Sequence, residues 1–533
     1  MQSASAAYDE VNRQWKSACK VLLGGEVGEL DEFAEWLYDY NGPRFHAKSA
    51  VSGEDVLYSD GRYSKKARWM GLDEAPRTAE RGALSVNDIK DIDSILRALG
   101  EKAVYTGNIW LGNSSGVEDS TTIIDSHYVY KSEWVTSSKY VAYSTHVIGD
   151  WVFGGHCVSS NFHIRSNSYM AQRCVEVSRV DWSSDCYYSH GLSACDECMF
   201  CFNLKSKRQH IGNLALSKEK YAALKRKLLA EMREKLMKDK RLPHHFDMFQ
   251  AAKPDYSRLK SLLPAMPPEQ AQKTDRQAAE TAFSEVSALI FGRPYAGLDR
   301  YGAWLTRNTA KFEDGQSCAS GRKLLVPDYA EFLRFPRGRL LDDHEAAWLG
   351  ERLALTAQEA ESLTLSNAPK TASPIAYFCN EWLVGNLANN IDCPLAIDAS
   401  DCYRSIINIR CKRCAFGWWP RESEYLFGYN RARQCAYCIN CFHSEKLKRC
   451  FEVSEGRSCS DCYFSHNIEN CSDCMFCFNV KNLKHAIANV ELGRERYTEA
   501  KKRVLDELNQ ELAKTDQIAM SIFNLVDCIP SKK

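Results

Sequence analysis

The rhythm of apolar and polar positions changes along this chain, and those changes divide it. In residues 29–40, ELDEFAEWLYDY, Leu30, Phe33, Ala34 and Leu37 recur on one helical face. Residues 85–99 open on Ser85, a good N-cap, and place Ile89, Ile92, Ile95, Leu96 and Leu99 at helical spacing. From Thr121 the pattern becomes short bursts of Tyr, Val, Ile and Trp separated by Ser, Asn, Gly and His, which favours strands. From Ser217 it turns helical again, with Tyr221, Leu224, Leu228, Leu229, Met232 and Leu236 on one stripe.

The same order then recurs. Residues 173–221 align with residues 449–497 at a constant offset of 276, with 24 of 49 positions identical and no gap, so the segment is an internal repeat. The match extends upstream, where Gly24, Leu30, Asp31, Trp36 and Leu37 align with Gly292, Leu298, Asp299, Trp304 and Leu305. The chain thus reads as two tandem copies of one α+β unit. The first comprises an α-rich front (1–104), a Cys/Ser-rich β-solenoid (105–216) and a capping helix (217–241). A linker follows (242–275), holding five of the 15 prolines. The second comprises a front (276–375), a Cys-rich solenoid (376–492) and a capping helix with tail (493–533).

A period of three marks the second solenoid. Between Cys393 and Cys477 all 13 cysteines fall on one residue in three. A single strand has a side-chain period of two and cannot align them, whereas short strands joined by corners can. The expected fold is a short parallel β-solenoid or β-roll with coils of about 18–20 residues and Cys and Ser stacked at its corners. Compact zinc ribbons are the alternative.

Composition narrows the chemistry. Sixty-nine basic and 69 acidic residues give no net charge, so a general nucleic-acid footprint is not favoured. No apolar run is long enough to span a membrane, and the first residues lack a signal-peptide layout. Twenty-three cysteines without such a layout point to a reducing, cytoplasmic setting, where dense cysteine means metal or buried thiol. The sharpest motif is Cys-x8-Cys-x2-Cys-x2-Cys. It occurs as Cys186, Cys195, Cys198 and Cys201, and again as Cys462, Cys471, Cys474 and Cys477. Each set could close a structural zinc site, since a CxxC turn offers two ligands at bite distance. A ladder of buried thiols and a set of disulfides are the alternatives. His190 and His466 are candidate replacement ligands or buried histidines. The extra cysteines Cys402, Cys411, Cys414, Cys435, Cys438 and Cys441 mostly face Ser, Val or Phe in the first half. The GNSSG stretch at residues 112–116 lacks the strand–turn–helix setting of a nucleophile elbow.

The stretch CSDCMFCFNVKNLKHAIANVELGRERYTEAKKRVLDEL resembles a largely uncharacterised group of cysteine-rich repeat proteins from tailed phages and some bacteria. That group has a CxxCFxC…K…I-x-N…Y pattern followed by a basic helix. The matching residues are Cys474, Phe476, Cys477, Lys481, Ile487, Asn489 and Tyr497, with Cys198, Phe200, Cys201, Leu204, Ile211, Asn213 and Tyr221 in the first half. A Met before the Phe and the missing "YC" before the Ile depart from it. The resemblance implies a β-solenoid with a capping helix, and a place in a phage particle; it implies no activity. The functional expectation is therefore a non-enzymatic structural protein, zinc-stabilised, partnered by other subunits of a large assembly. A nucleic-acid-binding zinc protein and a thiol or metal enzyme are the alternatives.

Overall fold

The computed structural model describes residues 6–39, 41–78, 89–250, 254, 256–268, 274–328, 334–417, 420, 423–429, 435, 437–439 and 448–530. Helix and strand each make up 31% of it, a mixed α+β fold with a long, mostly parallel sheet.

The sheet is a coil. Thr121 pairs with Glu133, Glu133 with Thr145 and Thr145 with His156, while Val117, Val129, Val141 and Val152 form a second parallel series. The same step joins Phe451, Tyr463, Met475 and Ile487. The coil is therefore mostly 12 residues long, not 18–20. The reason lies in the backbone. Thr122, Asp125, Tyr128, Lys131, Trp134, Ser137, Tyr140 and Tyr143 all have φ between +46° and +61°. A left-handed corner every third residue turns the chain four times per coil, so the coil closes early. The cysteine period of three is this corner period.

The corners also decide what lies inside. Ser120, Ile123, Ser126, Val129, Ser132, Val135, Ser138, Val141, Ser144 and Val147 are all buried, so serine and an aliphatic residue alternate along the inner side. The aliphatic members form a thin thread of core. The serines are pegs. Ser132 Oγ donates to the Tyr130 carbonyl at 2.9 Å and accepts the Ser144 N–H of the next coil at 3.1 Å. Ser120 and Ser126 repeat the arrangement with Ser132 and Ser138. Each hydroxyl satisfies a buried amide that the corner has turned away from the strand ladder.

The coils end as the motif suggests. The Asn213 side-chain amide accepts from the Phe202 N–H at 2.8 Å and donates to the Phe202 carbonyl at 2.9 Å, and Asn489 does the same to Phe478. An antiparallel strand then turns back, Leu214–Ala215 in one case and Val490–Glu491 in the other. The helices Lys218–Asp239, capped by Ser217, and Arg494–Thr515 follow and pack on the last coil.

The fronts are less helical than expected. Leu30–Phe33 and Ala34–Tyr38 are short helices, as are their aligned counterparts Leu298–Tyr301 and Gly302–Leu305. Asp91, not Ser85, caps the helix Ile92–Leu99, and residues 79–88 lie outside the described set. Between these helices run the strands Phe45–Lys48, Asp55–Tyr58 and Arg68–Gly71. The stretch read as a linker holds the helices His245–Gln250 and Tyr256–Leu262, with His245, Phe246 and Phe249 fully buried.

Compactness does not follow chain order. Unit 1 comprises Met1–Arg44, Ile109–Gln270 and Glu313–Glu381; unit 2 comprises Phe45–Asn108, Ala271–Phe312 and Trp382–Lys533. Each unit takes its solenoid from one half of the sequence and a strand-bearing segment from the other. In unit 1 the helix Ala6–Leu23 lies on the first solenoid, with Trp15 packed at 5.2 Å on Phe153. In unit 2 the helix Gln277–Phe291 lies on the second, with Phe283 on Phe427 at 5.2 Å and Phe291 on Phe451 at 5.1 Å.

Removing a peg should cost what a buried, unpaired amide costs. Ser132→Ala is expected to lower unfolding free energy by about 1–3 kcal/mol in urea titration, and Ser132→Cys by less, because a thiol keeps the donor. Equal losses from the two substitutions would show that the hydroxyl acts only by volume.

Candidate metal centres and buried polar clusters

The eight motif cysteines line the inside of the coils and are all buried. Cys186 pairs in register with Cys198 and Cys462 with Cys474, one coil apart, while Cys198 and Cys201 each follow a left-handed corner, Glu197 and Phe200, on one coil. Each acts as a peg. Cys201 Sγ donates to the Met199 carbonyl at 3.3 Å and the His210 carbonyl at 3.5 Å, and receives the Asn213 N–H at 3.5 Å. Cys195, Cys198, Cys462, Cys471, Cys474 and Cys477 likewise bridge two carbonyls, at positions i−2 and i+9, and Cys186 donates to Ser184. In one column Ser189, Cys201 and Asn213 succeed one another in the same role. Ser465, Cys477 and Asn489 hold the corresponding places 276 residues later.

Among the described residues, two groups bring three ligand atoms within 4.8 Å of one another: His146, His156 and Cys157, and Glu176, His244 and His245. Neither contains any of the eight. Corners three residues apart and coils 12 apart spread the sulfurs over a lattice, with neighbouring sulfurs in contact. Contact with Cys174 and Cys198, and then burial, pushes the Cys186 thiol well up; contact with Cys450, Cys459 and Cys474 does the same to Cys462. The extra cysteines continue the lattice, with Cys402 touching Cys411 and Cys414. Cys441 lies outside the described residues.

The sequence reading missed the second group. Glu176 is fully buried, with Arg165 Nε 2.8 Å from its Oε1. His245 Nδ1 and His244 Nε2 lie 3.6 and 3.9 Å from its Oε2. Ser178 Oγ is 2.7 Å from both His245 Nε2 and His190 Nδ1, and His190 Nε2 is 3.3 Å from the Cys379 carbonyl. Ser178, His245 and Glu176 therefore have the spacing of a nucleophile triad, but all three are fully buried, with no face open to a substrate. Ser178 Oγ stands between the His190 and His245 rings, and the hydrogen bond between His245 and Glu176 raises that imidazole against the burial that lowers it. His244 Nδ1 accepts the Phe246 N–H at 3.1 Å, so its Nε2 bears hydrogen. It offers Glu176 a donor, not a metal a lone pair. Burial holds His190, His244 and His245 below the ordinary imidazole range. The cluster is a charge and hydrogen-bond network around one carboxylate.

Unit 2 carries the same glutamate with other partners. Glu452 Oε2 accepts the Ser521 hydroxyl at 2.9 Å and the Ile522 N–H at 3.0 Å, and Arg307 lies 3.9 Å away. Burial pushes its carboxyl up to about 7, against the pull of the Ile522 amide and Arg307. His466 Nε2 accepts the Thr106 N–H at 2.8 Å, the reverse of the role of His190. Both histidines are structural in this geometry. The signal that could have found Glu176 and Glu452 was present: a charged residue held at one place in both CVEVS and CFEVS.

No helix among the described residues is long and apolar enough to cross a membrane. No family model, curated protein or solved structure matches the chain.

Two outcomes are expected. Arg165→Met or Glu176→Met alone should destabilise by about 3–5 kcal/mol, because each strands a buried charge, and the double substitution by clearly less; urea titration of the three variants checks this. For Glu452, the folded value near 7 exceeds the unfolded value of 4.5, so the folded state binds the extra proton. That contribution is intact below about pH 4.5 and is lost as pH rises through 7, about 3 kcal/mol in all. Glu452→Gln should flatten that part of the stability–pH curve; an unchanged slope would show that another group titrates there.

Proposed function

We propose that the chain is a structural protein, a zinc-bearing subunit or decoration of a larger assembly, with a phage particle as the assembly that the sequence resemblance suggests. The observation that carries this reading is the peg ladder. The thiols and hydroxyls that could do chemistry point inward and hold coil to coil, so the residues that distinguish this sequence act on rigidity. The surface adds support. Met170 and Trp182, which follow the paired residues Tyr169 and Asp181, are 46% and 55% exposed on successive coils. Exposed large apolar side chains grouped on one element suit a contact with another subunit.

Native mass spectrometry with elemental analysis of the protein drawn from its native extract tests the reading. A complex with other subunits that dissociates on Trp182→Asp/Met170→Asp substitution is expected. A monodisperse monomer in that extract would sink it.

A further inference from the structure

We propose that His146, His156 and Cys157 form a zinc site on the outside of the unit 1 solenoid. The inference rests on the zinc part of the reading above and not on the assembly part.

The register builds the site. His146 lies in the strand Thr145–Ile148 and His156 and Cys157 in the strand His156–Ser159, one coil later. Thr145 pairs with His156, which brings His146 and Cys157 to the same place on successive coils. Both sit at left-handed corners, with φ of +58° and +57°. Such corners turn side chains outward: both are partly exposed, while His156 beside them is 2% exposed. The three ligand atoms lie within 4.8 Å of one another on a rigid ladder.

The orientation also suits a metal. Thr145 Oγ1 is 3.0 Å from His146 Nδ1. With the Nδ1 hydrogen given to that hydroxyl, His146 Nε2 presents its lone pair, the way a ligating imidazole is usually fixed by its other nitrogen. Trp134 stacks on the His146 ring at 6.0 Å and 4°, and His156 meets that ring edge-on at 5.8 Å. Two imidazoles and one thiolate are a borderline-to-soft set that suits Zn²⁺ and not Mg²⁺ or Ca²⁺. Water takes the fourth position, since His146 and Cys157 reach the surface. Binding releases the Cys157 proton to solvent as the Zn–S bond forms. Cys157 sits on a left-handed corner and is partly exposed, whereas the motif cysteines follow corners and are buried.

The test uses the purified full chain, stripped with a chelator and titrated with Zn²⁺, then with Co²⁺ as a spectroscopic probe. One zinc per chain is expected at this site, and a thiolate-to-cobalt absorption band. Cys157→Ser and His146→Ala should each weaken binding at least about tenfold and Cys157→Ser should abolish the band, with circular dichroism unchanged. Cys318→Ser, another partly exposed cysteine in unit 1, should leave both intact. Zinc affinity and band equal in the parent and both site variants, or zinc lost with Cys318→Ser instead, overturns the site. A chain that binds no zinc overturns it too, and leaves the assembly reading to its own experiment.

Discussion

The structure depends on a backbone turned left-handed at every third residue. A non-glycine residue in that region costs on the order of 1 kcal/mol or more, and both solenoids repeat it at nearly every corner. The corner also rotates some inner amides out of the strand ladder. A 12-residue coil has only four inward side chains, too few to hold it by apolar burial alone. The peg answers both problems. One short side chain with a donor and an acceptor, reaching from the corner below, ties each displaced amide to a carbonyl. Serine does this in the Ser120–Ser144 stretch, cysteine in the Cys-rich coils, and asparagine at the last coil, where no further coil follows.

The cysteine density then has a packing explanation. Sulfur keeps the weak S–H donor and acceptor of the peg but is larger than a hydroxyl oxygen and apolar. Where the valine thread of the first solenoid fills the inside, serine suffices. In the second, alanine and cysteine line much of the inside and the sulfurs supply the bulk as well as the hydrogen bond.

Much of this was legible in the sequence. The mixed α+β class and the long, mostly parallel sheet follow from spacing, because an inward position every three residues leaves a period that survives any choice of peg; the Cys and Ser pegs sit one residue past the corners and not on them. Coil length did not follow: the period of three is equally compatible with longer arms, and only the sign of φ at Thr122 or Tyr128 closes the coil at 12. The exchange of Phe45–Asn108 and Glu313–Glu381 between units was invisible, since local patterning does not say which solenoid a segment completes. His244 and His245 were hidden by the prolines around them. Those prolines bound short helices that pack, and the buried partner that makes them pack, Glu176, lies 68 residues earlier than His244.

Glu176 and Glu452 stand 276 positions apart in the sequence and meet different surroundings. Each carboxylate is fully buried in the same CxEVS stretch, so each needs compensation. In unit 1 the compensation is ionic, from Arg165, with His244 and His245 filling the remaining space. In unit 2 it is dipolar, from Ser521 and the Ile522 amide, with Arg307 more distant. One neighbour of each carboxylate comes from the segment that follows the capping helix: His245 beside Glu176 and Ser521 beside Glu452, again 276 apart. The segment behind each capping helix thus reaches a buried glutamate: His245 lies beside a carboxylate that Arg165 already pairs, while Ser521 itself donates to one. That ties the end of each helix to the interior of the solenoid before it, so the two carboxylates are held from outside the coils as well as from within.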